Sequence, residues 1–195
     1  MNPQPIVGLL GKKRSGKDTF ASYLVEDHGF QRFAFADPLK SAALELDPVV
    51  GADWSNPTRL STVVSVLGWE EAKERAEVRG ILQRLGTAMR GVNPSIWLDA
   101  TMVPALAANA DGHAIVISDV RFHNEATAIR EAGGVLVRVE RPGLTSTDPH
   151  VSETLMDSYE ADAVVANALG LESLRASAHS LAHYLGFATL AAVDL

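Results

Sequence analysis

The residues with the plainest chemical potential are Gly11, Gly16 and Lys17. They stand in the run Gly11-Lys12-Lys13-Arg14-Ser15-Gly16-Lys17, which fits the phosphate-binding pattern G-x-x-x-x-G-K. Glycines let the chain wrap a concave nest whose N–H groups point at phosphate oxygens. A helix beginning there adds its positive N-terminal end. Lys17 supplies a mobile ammonium for the β- and γ-phosphates of a nucleotide. The next position usually carries Ser or Thr to hold Mg²⁺; here it is Asp18, followed by Thr19. A carboxylate can also hold Mg²⁺, directly or through water, because the ion prefers oxygen ligands. Thr19 can reach a phosphate. Taken alone, the stretch also reads as a Gly-rich turn with surface lysines.

A second carboxylate completes the pattern. The apolar run Ala114–Ser118 ends in Asp119, and a carboxylate at a strand tip can face the phosphate loop and help hold Mg²⁺. Lys40 is placed in the first turn of a helix opened by Asp37-Pro38. A cation is slightly unfavourable there, so an anionic partner competes with a plain surface lysine as the explanation. Arg79, Gln83 and Thr87 lie four apart and form one polar stripe, with Arg90 three later. Such a stripe is usually a solvated face. Trp97 reads as core, or as an aromatic stacked on a base. Trp54 and Arg59 could touch a substrate, or pack and solvate. Arg141 opens a polar stretch reaching His150, which reads as a lid over the transferring phosphoryl group or as an ordinary loop.

The elements that must position these groups follow from periodicity. Ile6–Leu10, bounded by Pro5 and Gly11, reads as a buried parallel strand. A helix follows from near Gly16 to Asp27 or His28, with Gly29 as a left-handed cap. A second strand is expected in Phe30–Ala36. Asp37 is expected to cap a helix Leu39–Leu46, with Pro38 at its first position. Asp47–Gly68 reads as loops and short helical pieces, and Glu70–Arg90 as helical, burying Ile81, Leu82 and Leu85. Ile96–Ala108 reads as a helix with a kink or restart at Pro104. Strands are expected at Ala114–Ser118, Val135–Val139 and Ala163–Ala166, with a helix at Asn124–Ala132. The last helix, Leu171–Leu185, spaces Leu171, Leu174, Ala178, Leu181 and Leu185 for core packing and leaves His179 and His183 on the surface. Alternation of strand and helix predicts an α/β fold with a central parallel sheet of about five strands, helices on both faces and right-handed crossovers.

The chain has 195 residues, 47% hydrophobic and 21% charged, which suits one globular domain. A net charge of −7 argues against binding polymeric nucleic acid. It leaves room for a local basic pocket made by Lys12, Lys13, Arg14 and Lys17. There is no cysteine, hence no disulfide or thiolate metal site, which fits a reducing cytoplasm. No signal peptide and no run of membrane-spanning length is seen, so no membrane partner is expected.

Several blocks in fixed order carry a resemblance: Gly11–Thr19, D-P-L-K (Asp37–Lys40), R-x-x-L-Q-x-L-G-T (Arg79–Thr87), Ile96-Trp97, S-D-V-R-F-x-N-E (Ser118–Glu125), V-x-R-P-G (Val139–Gly143) and D-x-H-x-S-E (Asp148–Glu153). In this the chain resembles the phage-type deoxynucleoside monophosphate kinases. The resemblance implies a nucleoside-monophosphate-kinase-like P-loop NTPase fold. It implies transfer of the ATP γ-phosphoryl group to a deoxynucleoside 5′-monophosphate, with Mg²⁺. By position, Gly11, Arg14, Ser15, Gly16, Lys17, Asp18, Thr19 and Arg141 would serve ATP. Lys13, Lys40, Arg79, Gln83, Gly86, Thr87, Trp97, Asp119, Arg121 and Glu125 would line the acceptor side. Lys17, Arg14, Asp119 and Arg121 would be catalytic, and Asp18 and Asp119 would hold the metal, through water or directly. His150 and Glu153 belong to the pattern without an assigned role. Residues 1–195 would form one kinase domain, with an acceptor-binding helical region over about 37–108 and a lid over about 141–153. Homodimerisation is left open, and the host cytoplasm is the expected location if the gene is a phage's. Two rivals remain: another small-molecule kinase of this fold, such as a dephospho-coenzyme A kinase-like enzyme, and a nucleotide-binding switch. A switch would leave the acceptor-side cations without a task, and no guanine-reading N-K-x-D is present.

Overall fold

A computed structural model describes residues 4–51, 57–144 and 159–186. Trp54, His150 and Glu153, and most of the expected lid, lie outside the described residues. The chain divides into two compact units, one of Met1–Ala34 with Thr101–Leu195, the other of Phe35–Ala100.

The first unit is built on β1 (Ile6–Leu10), buried at every position as a strand covered on both faces must be. It is followed by α1 (Lys17–His28) and β2 (Gln31–Phe33). Within this unit, four further elements carry the chain to its end: β5 (Ile115–Ile117), α6 (His123–Glu131), β6 (Val135–Glu140) and β7 (Ala163–Ala166), before α7 (Leu171–Tyr184). The five strands form one parallel sheet in the order β2-β5-β1-β6-β7. The chain fills one side of β1 first and then crosses to the other. The carboxyl end of β1 therefore lies where the winding direction changes, the place where such sheets bind ligands.

Side-chain alternation assigns the two faces. Val7, Leu9, Val116, Val137 and Val139 share a core with Phe20 and Leu24 of α1 and Leu174 and Ala178 of α7. Each large apolar side chain buried there is worth about 1.5–3 kcal/mol. Gly8 faces the other way, and a methyl added to it would lie 2.7 Å from the Ile129 side chain of α6. The missing side chain lets α6 settle onto β1. Gly29 ends α1 in the left-handed region, φ 71°, as expected.

The far ends of α1 and α7 are joined by polar contacts. Arg175 grips Asp27 with Nε and a terminal nitrogen at 2.8 and 2.5 Å, and its guanidinium lies 5.4 Å from the Tyr23 ring centre. His28 Nε2 and His179 Nδ1 are 2.9 Å apart, and His179 Nε2 is 3.4 Å from Asp27. A proton on His179 Nε2 would face Asp27 and leave Nδ1 to accept from His28, a tautomer assigned from neighbours. The surface reading of His179 is thus corrected: it is half-buried at the helix seam, while His183 is exposed. Leu171, expected in the core, is 65% exposed.

The second unit has its own core of Ala43, Val50, Leu60, Val63, Ala72 and Val78, flanked by Ile81, Leu82 and Leu85. It contains α2 (Ala36–Leu46), the antiparallel pair β3 (Val49–Val50) and β4 (Thr58–Arg59), α3 (Leu60–Ala72), α4 (Ala76–Val92) and the start of α5 (Ile96–Ala110). Expectations are corrected at several points. The second strand keeps only Gln31–Phe33, because Ala36 already begins α2. Asp37 and Pro38 are therefore the second and third helical residues, not cap and first; proline costs nothing there, since first-turn N–H groups have no helical acceptor. Lys40 consequently sits beyond the first turn. Asp47–Gly68 holds a strand pair and most of a helix, and Gly68 breaks that helix with φ 72° and ψ 166°. α5 runs through Pro104 as one assigned helix.

The guanidinium of Arg175, hydrogen-bonded to Asp27, holds that carboxyl below the usual aspartate range. A depressed folded-state pKa stabilises the fold above the unfolded value near 4, and the contribution disappears as pH falls through the folded value. Arg175→Leu is expected to lower the melting temperature at pH 7 by a few degrees. The gap from wild type should close as the melts are repeated toward about pH 3.

Candidate functional site

The first unit positions the phosphate loop between the end of β1 and the start of α1. Gly11 has φ 132°, and a methyl there would lie 2.3 Å from the Val139 carbonyl oxygen of β6. Glycine is required for both reasons. Arg14 takes φ 66° and Gly16 φ 105°, so left-handed residues recur through the loop. That backbone pattern makes a concave anion site. Arg14 adopts it at a cost of about 1 kcal/mol, and its side chain is exposed.

Lys17 is only 8% exposed, and its ammonium donates to the carbonyls of Gly11 and Lys12 at 2.7 and 2.8 Å. Ser15 N–H donates to Lys12 O as well. The hydroxyl of Ser15 is buried without a hydrogen-bond partner among the described residues. An orphaned hydroxyl inside a loop of this curvature suits a phosphate oxygen, since an unmet buried donor costs about 1–3 kcal/mol. Asp18 is exposed and Thr19 half-buried in the first turn of α1. Gly11, Lys12, Ser15, Val139, Arg141 and Pro142 help line a cavity of ≈ 230 Å³ beside the loop.

The tip of β5 is tied to the same strand end. Val120 N–H donates to Leu9 O at 3.1 Å, which keeps Asp119 beside the last residues of β1. Asp119 and Arg121 are half-exposed. Glu125 is 2% exposed, and its Oε2 accepts from the N–H groups of Arg121 and Phe122 at 2.8 and 3.1 Å. Its carboxylate caps α6 and holds the backbone that carries Arg121. Phe122 offers no side-chain acceptor, so this is the carboxylate half of a capping box. No group of three or more His, Cys, Asp or Glu among the described residues could hold a metal unaided. Mg²⁺ tolerates this, since it keeps waters and takes few protein carboxylates alongside phosphate oxygens. Asp18 and Asp119 are the carboxylates available for it.

Lys13 is exposed in the loop of the first unit, and the remaining predicted residues that the structure describes belong to the second. Arg79, Gln83, Gly86 and Thr87 lie along α4; Arg79 is 3.5 Å from Glu74, and a shallow groove is lined by Gln83, Arg84, Thr87 and Ala88. Lys40 Nζ is 3.3 Å from Asp37 and 6.0 Å from the Trp69 ring centre. Trp97 is 5% exposed, and its indole N–H donates to Gly86 O at 3.2 Å. Gly86 in turn leaves room for Leu39, 3.3 Å from where its Cβ would be. Trp97 and Gly86 thus fasten α5 and α2 to α4.

Sequence reasoning passed over Asn167, whose side chain donates to Ser15 O at 3.0 Å. It also passed over Arg138, buried in β6, which donates to Tyr159 O. Asn167 had no local signal, since it follows an edge strand whose residues alternate between exposed and half-buried. Arg138 had none beyond a charge inside an apolar run.

A glycine-turned loop with an invading lysine, set at the winding reversal of a parallel sheet, defines a P-loop nucleotide-binding protein. A family model for deoxynucleotide monophosphate kinases matches residues 5–48 and 53–177. A protein of Acanthamoeba polyphaga mimivirus, provisionally named a deoxynucleotide monophosphate kinase, is 36% identical over 83% of this chain and 88% of its own. The deoxynucleotide monophosphate kinase of Enterobacteria phage T4 is 23% identical over 87% of this chain and 95% of its own. Among solved structures, the dephospho-CoA kinase of Campylobacter jejuni is 14% identical with a TM-score of 0.48, covering 93% of this chain and 97% of that one. The chain belongs to the deoxynucleotide monophosphate kinase family. No helix among the described residues is long and apolar enough to cross a membrane.

Removing the Glu125 carboxylate leaves two N–H groups at the head of α6 without their acceptor. Glu125→Ala is expected to lower unfolding free energy by about 1–3 kcal/mol, read from the urea midpoint at constant slope.

Proposed function

We propose that this chain transfers the γ-phosphoryl group of ATP to the phosphate of a deoxynucleoside 5′-monophosphate, giving the diphosphate and ADP. The observation that carries the reading is the Gly11–Lys17 loop, curved for phosphate and threaded by Lys17, in a chain of this family.

The chemistry needs little covalent help. An acceptor phosphate oxygen attacks the γ-phosphorus, and the bond to the β,γ-bridging oxygen breaks with its electrons going to ADP. The obstacle is bringing two polyanions together in line and neutralising the charge that develops. Lys17, the loop N–H groups and Ser15 would cradle the donor phosphates, with Arg14 and Arg141 adding positive charge. Thr19 would contact a phosphate. Mg²⁺, when bound, would neutralise charge on the β- and γ-oxygens, and Asp18 and Asp119 would hold it, in part through water. Lys13 and Arg121 of the first unit, and Lys40 and Arg79 of the second, are the cations that the resemblance assigns to the acceptor, with Gln83 and Thr87 on the same helix face as Arg79. Glu125, Gly86 and Trp97 would act by holding Arg121 and α4 in place. Each bidentate Arg–phosphate pair is a strong charge-assisted contact.

Lys17→Ala is expected to cut turnover by at least about 10²–10³ while the circular dichroism spectrum shows that the fold survives. Near-normal turnover in a folded variant would sink the assignment. The substrate class has its own test: ATP consumption with each common deoxynucleoside monophosphate and its ribonucleotide partner. Faster turnover of the deoxy form is expected, and equal rates would remove the sugar preference from the proposal.

A further inference from the structure

The phosphate loop is held from outside by a residue 152 positions away in the chain, and this contact sits in no motif assigned above. Asn167 follows directly on β7. Its backbone N–H donates to Glu140 O at 2.6 Å, extending the β6–β7 pairing by one residue. Its side-chain Nδ2 donates to Ser15 O at 3.0 Å. It packs so closely that a methyl on Gly16 would lie 2.5 Å from Nδ2 and 3.3 Å from a Leu174 methyl of α7. Leu174 is itself 1% exposed, so this side of the loop rests on core.

The consequence follows from the peptide group. In a planar trans peptide, C=O and N–H point in opposite directions. A carbonyl fixed on Asn167 therefore fixes the N–H of Gly16 on the other side. Gly16, at φ 105°, is a glycine and can otherwise change conformation cheaply. Lys17 restrains the carbonyls of Gly11 and Lys12, but neither of those bonds reaches the Ser15–Gly16 peptide. Ser15 also carries a buried, unpartnered hydroxyl on the same stretch of loop, aimed by its own side-chain torsion.

We propose that Asn167 is a positioning residue for the phosphate donor: its side-chain amide holds the Ser15 carbonyl outward and thereby aims the Gly16 N–H at a nucleotide phosphate. The proposal rests on the phosphate-loop reading of Gly11–Lys17. It assigns to the β7–α7 junction a share in donor binding without contact to the donor.

Two variants separate donor from filler. Asn167→Asp keeps the size and loses the N–H; Asn167→Ala loses both. The measurements are steady-state kinetics with ATP and a deoxynucleoside monophosphate, calorimetric binding of inorganic tripolyphosphate to the full chain, and melting without ligand. Both variants should raise KM for ATP by about tenfold or more and weaken tripolyphosphate to a similar extent. KM for the monophosphate should stay within about twofold, and Asp should be at least as impaired as Ala because it adds negative charge beside the loop. A folded Asn167→Asp protein with wild-type tripolyphosphate affinity would overturn the proposal, since size alone would then suffice. Equal loss in both KM values would overturn it too, as would failure of both variants to fold, because the amide would then be holding the structure at large. Wild-type protein that binds tripolyphosphate more tightly than both variants, yet turns over no deoxynucleotide, would sink the kinase reading and still support this one.

Discussion

The structure depends on where the carbonyl oxygens of one loop point. A run of backbone can offer N–H groups to an anion only if its carbonyls face away, and outward carbonyls inside a protein need donors of their own. Here they have them. Gly11 O and Lys12 O accept from Lys17, Lys12 O accepts also from Ser15 N–H, and Ser15 O accepts from Asn167. The loop is concave because its convex side is satisfied. Lys17 braces the loop from within and, in the proposed reaction, would also serve as a cation for the donor phosphates.

Everything around the loop supplies rigidity at that spot. β1 is hydrogen-bonded to a parallel neighbour on each side and buried on both faces, so its carboxyl end can move little. Val139 O presses against Gly11, Asn167 against Gly16, and Leu9 O takes Val120 N–H from the tip of β5. Three neighbouring strands thus touch the loop or its root with polar atoms that end their ladders. A parallel sheet makes this economical: all its strands finish at one edge, so polar groups from distant parts of the chain collect there without special loops. The Asp27–Arg175 and His28–His179 contacts close the opposite end of the α1–α7 pair and keep α1, whose head forms the anion site, seated on the sheet.

Much of this was legible in the sequence because the signals were local. The apolar run before Gly11, the left-handed cap at Gly29, the strands around Ile115 and Val137, and the α4 stripe from Arg79 to Thr87 all depend on neighbours within one element. What was missed depends on partners far along the chain. Asp37-Pro38 satisfies the rule for a cap and also fits two residues further into the helix; packing decides between them, and it begins the helix at Ala36. The Asp47–Gly68 stretch was dense in breakers, yet Pro48 and Gly51 border a short strand pair and Gly68 breaks α3 only near its end. His179 looked like a surface residue because its partners, Asp27 and His28, lie on another helix. Asn167 was silent for the same reason: an amide's task is set by the carbonyl it meets. Glu125 was read from its motif as lining the acceptor side; the structure adds that its Oε2 accepts from two backbone N–H groups.

The cations of the second unit raise a separate physical question, because each has an acidic neighbour already. Arg79 lies 3.5 Å from Glu74 and Lys40 3.3 Å from Asp37. Pairs this open to water contribute roughly 0–1 kcal/mol, since solvent screens them and ordering two long side chains offsets the attraction. A phosphate dianion offers more charge and more acceptor oxygens than one carboxylate, so exchanging partners would cost little and return a stronger contact. If Lys40 and Arg79 meet a substrate phosphate as proposed, the acidic neighbours would hold these long side chains in place until it binds. The backbone beneath them is fixed independently, by a core of the unit's own and by Trp97 bonded to Gly86 at the middle of α4. An acidic protein can in this way keep basic groups ready for an anion, paired weakly enough to be released and mounted firmly enough to be found.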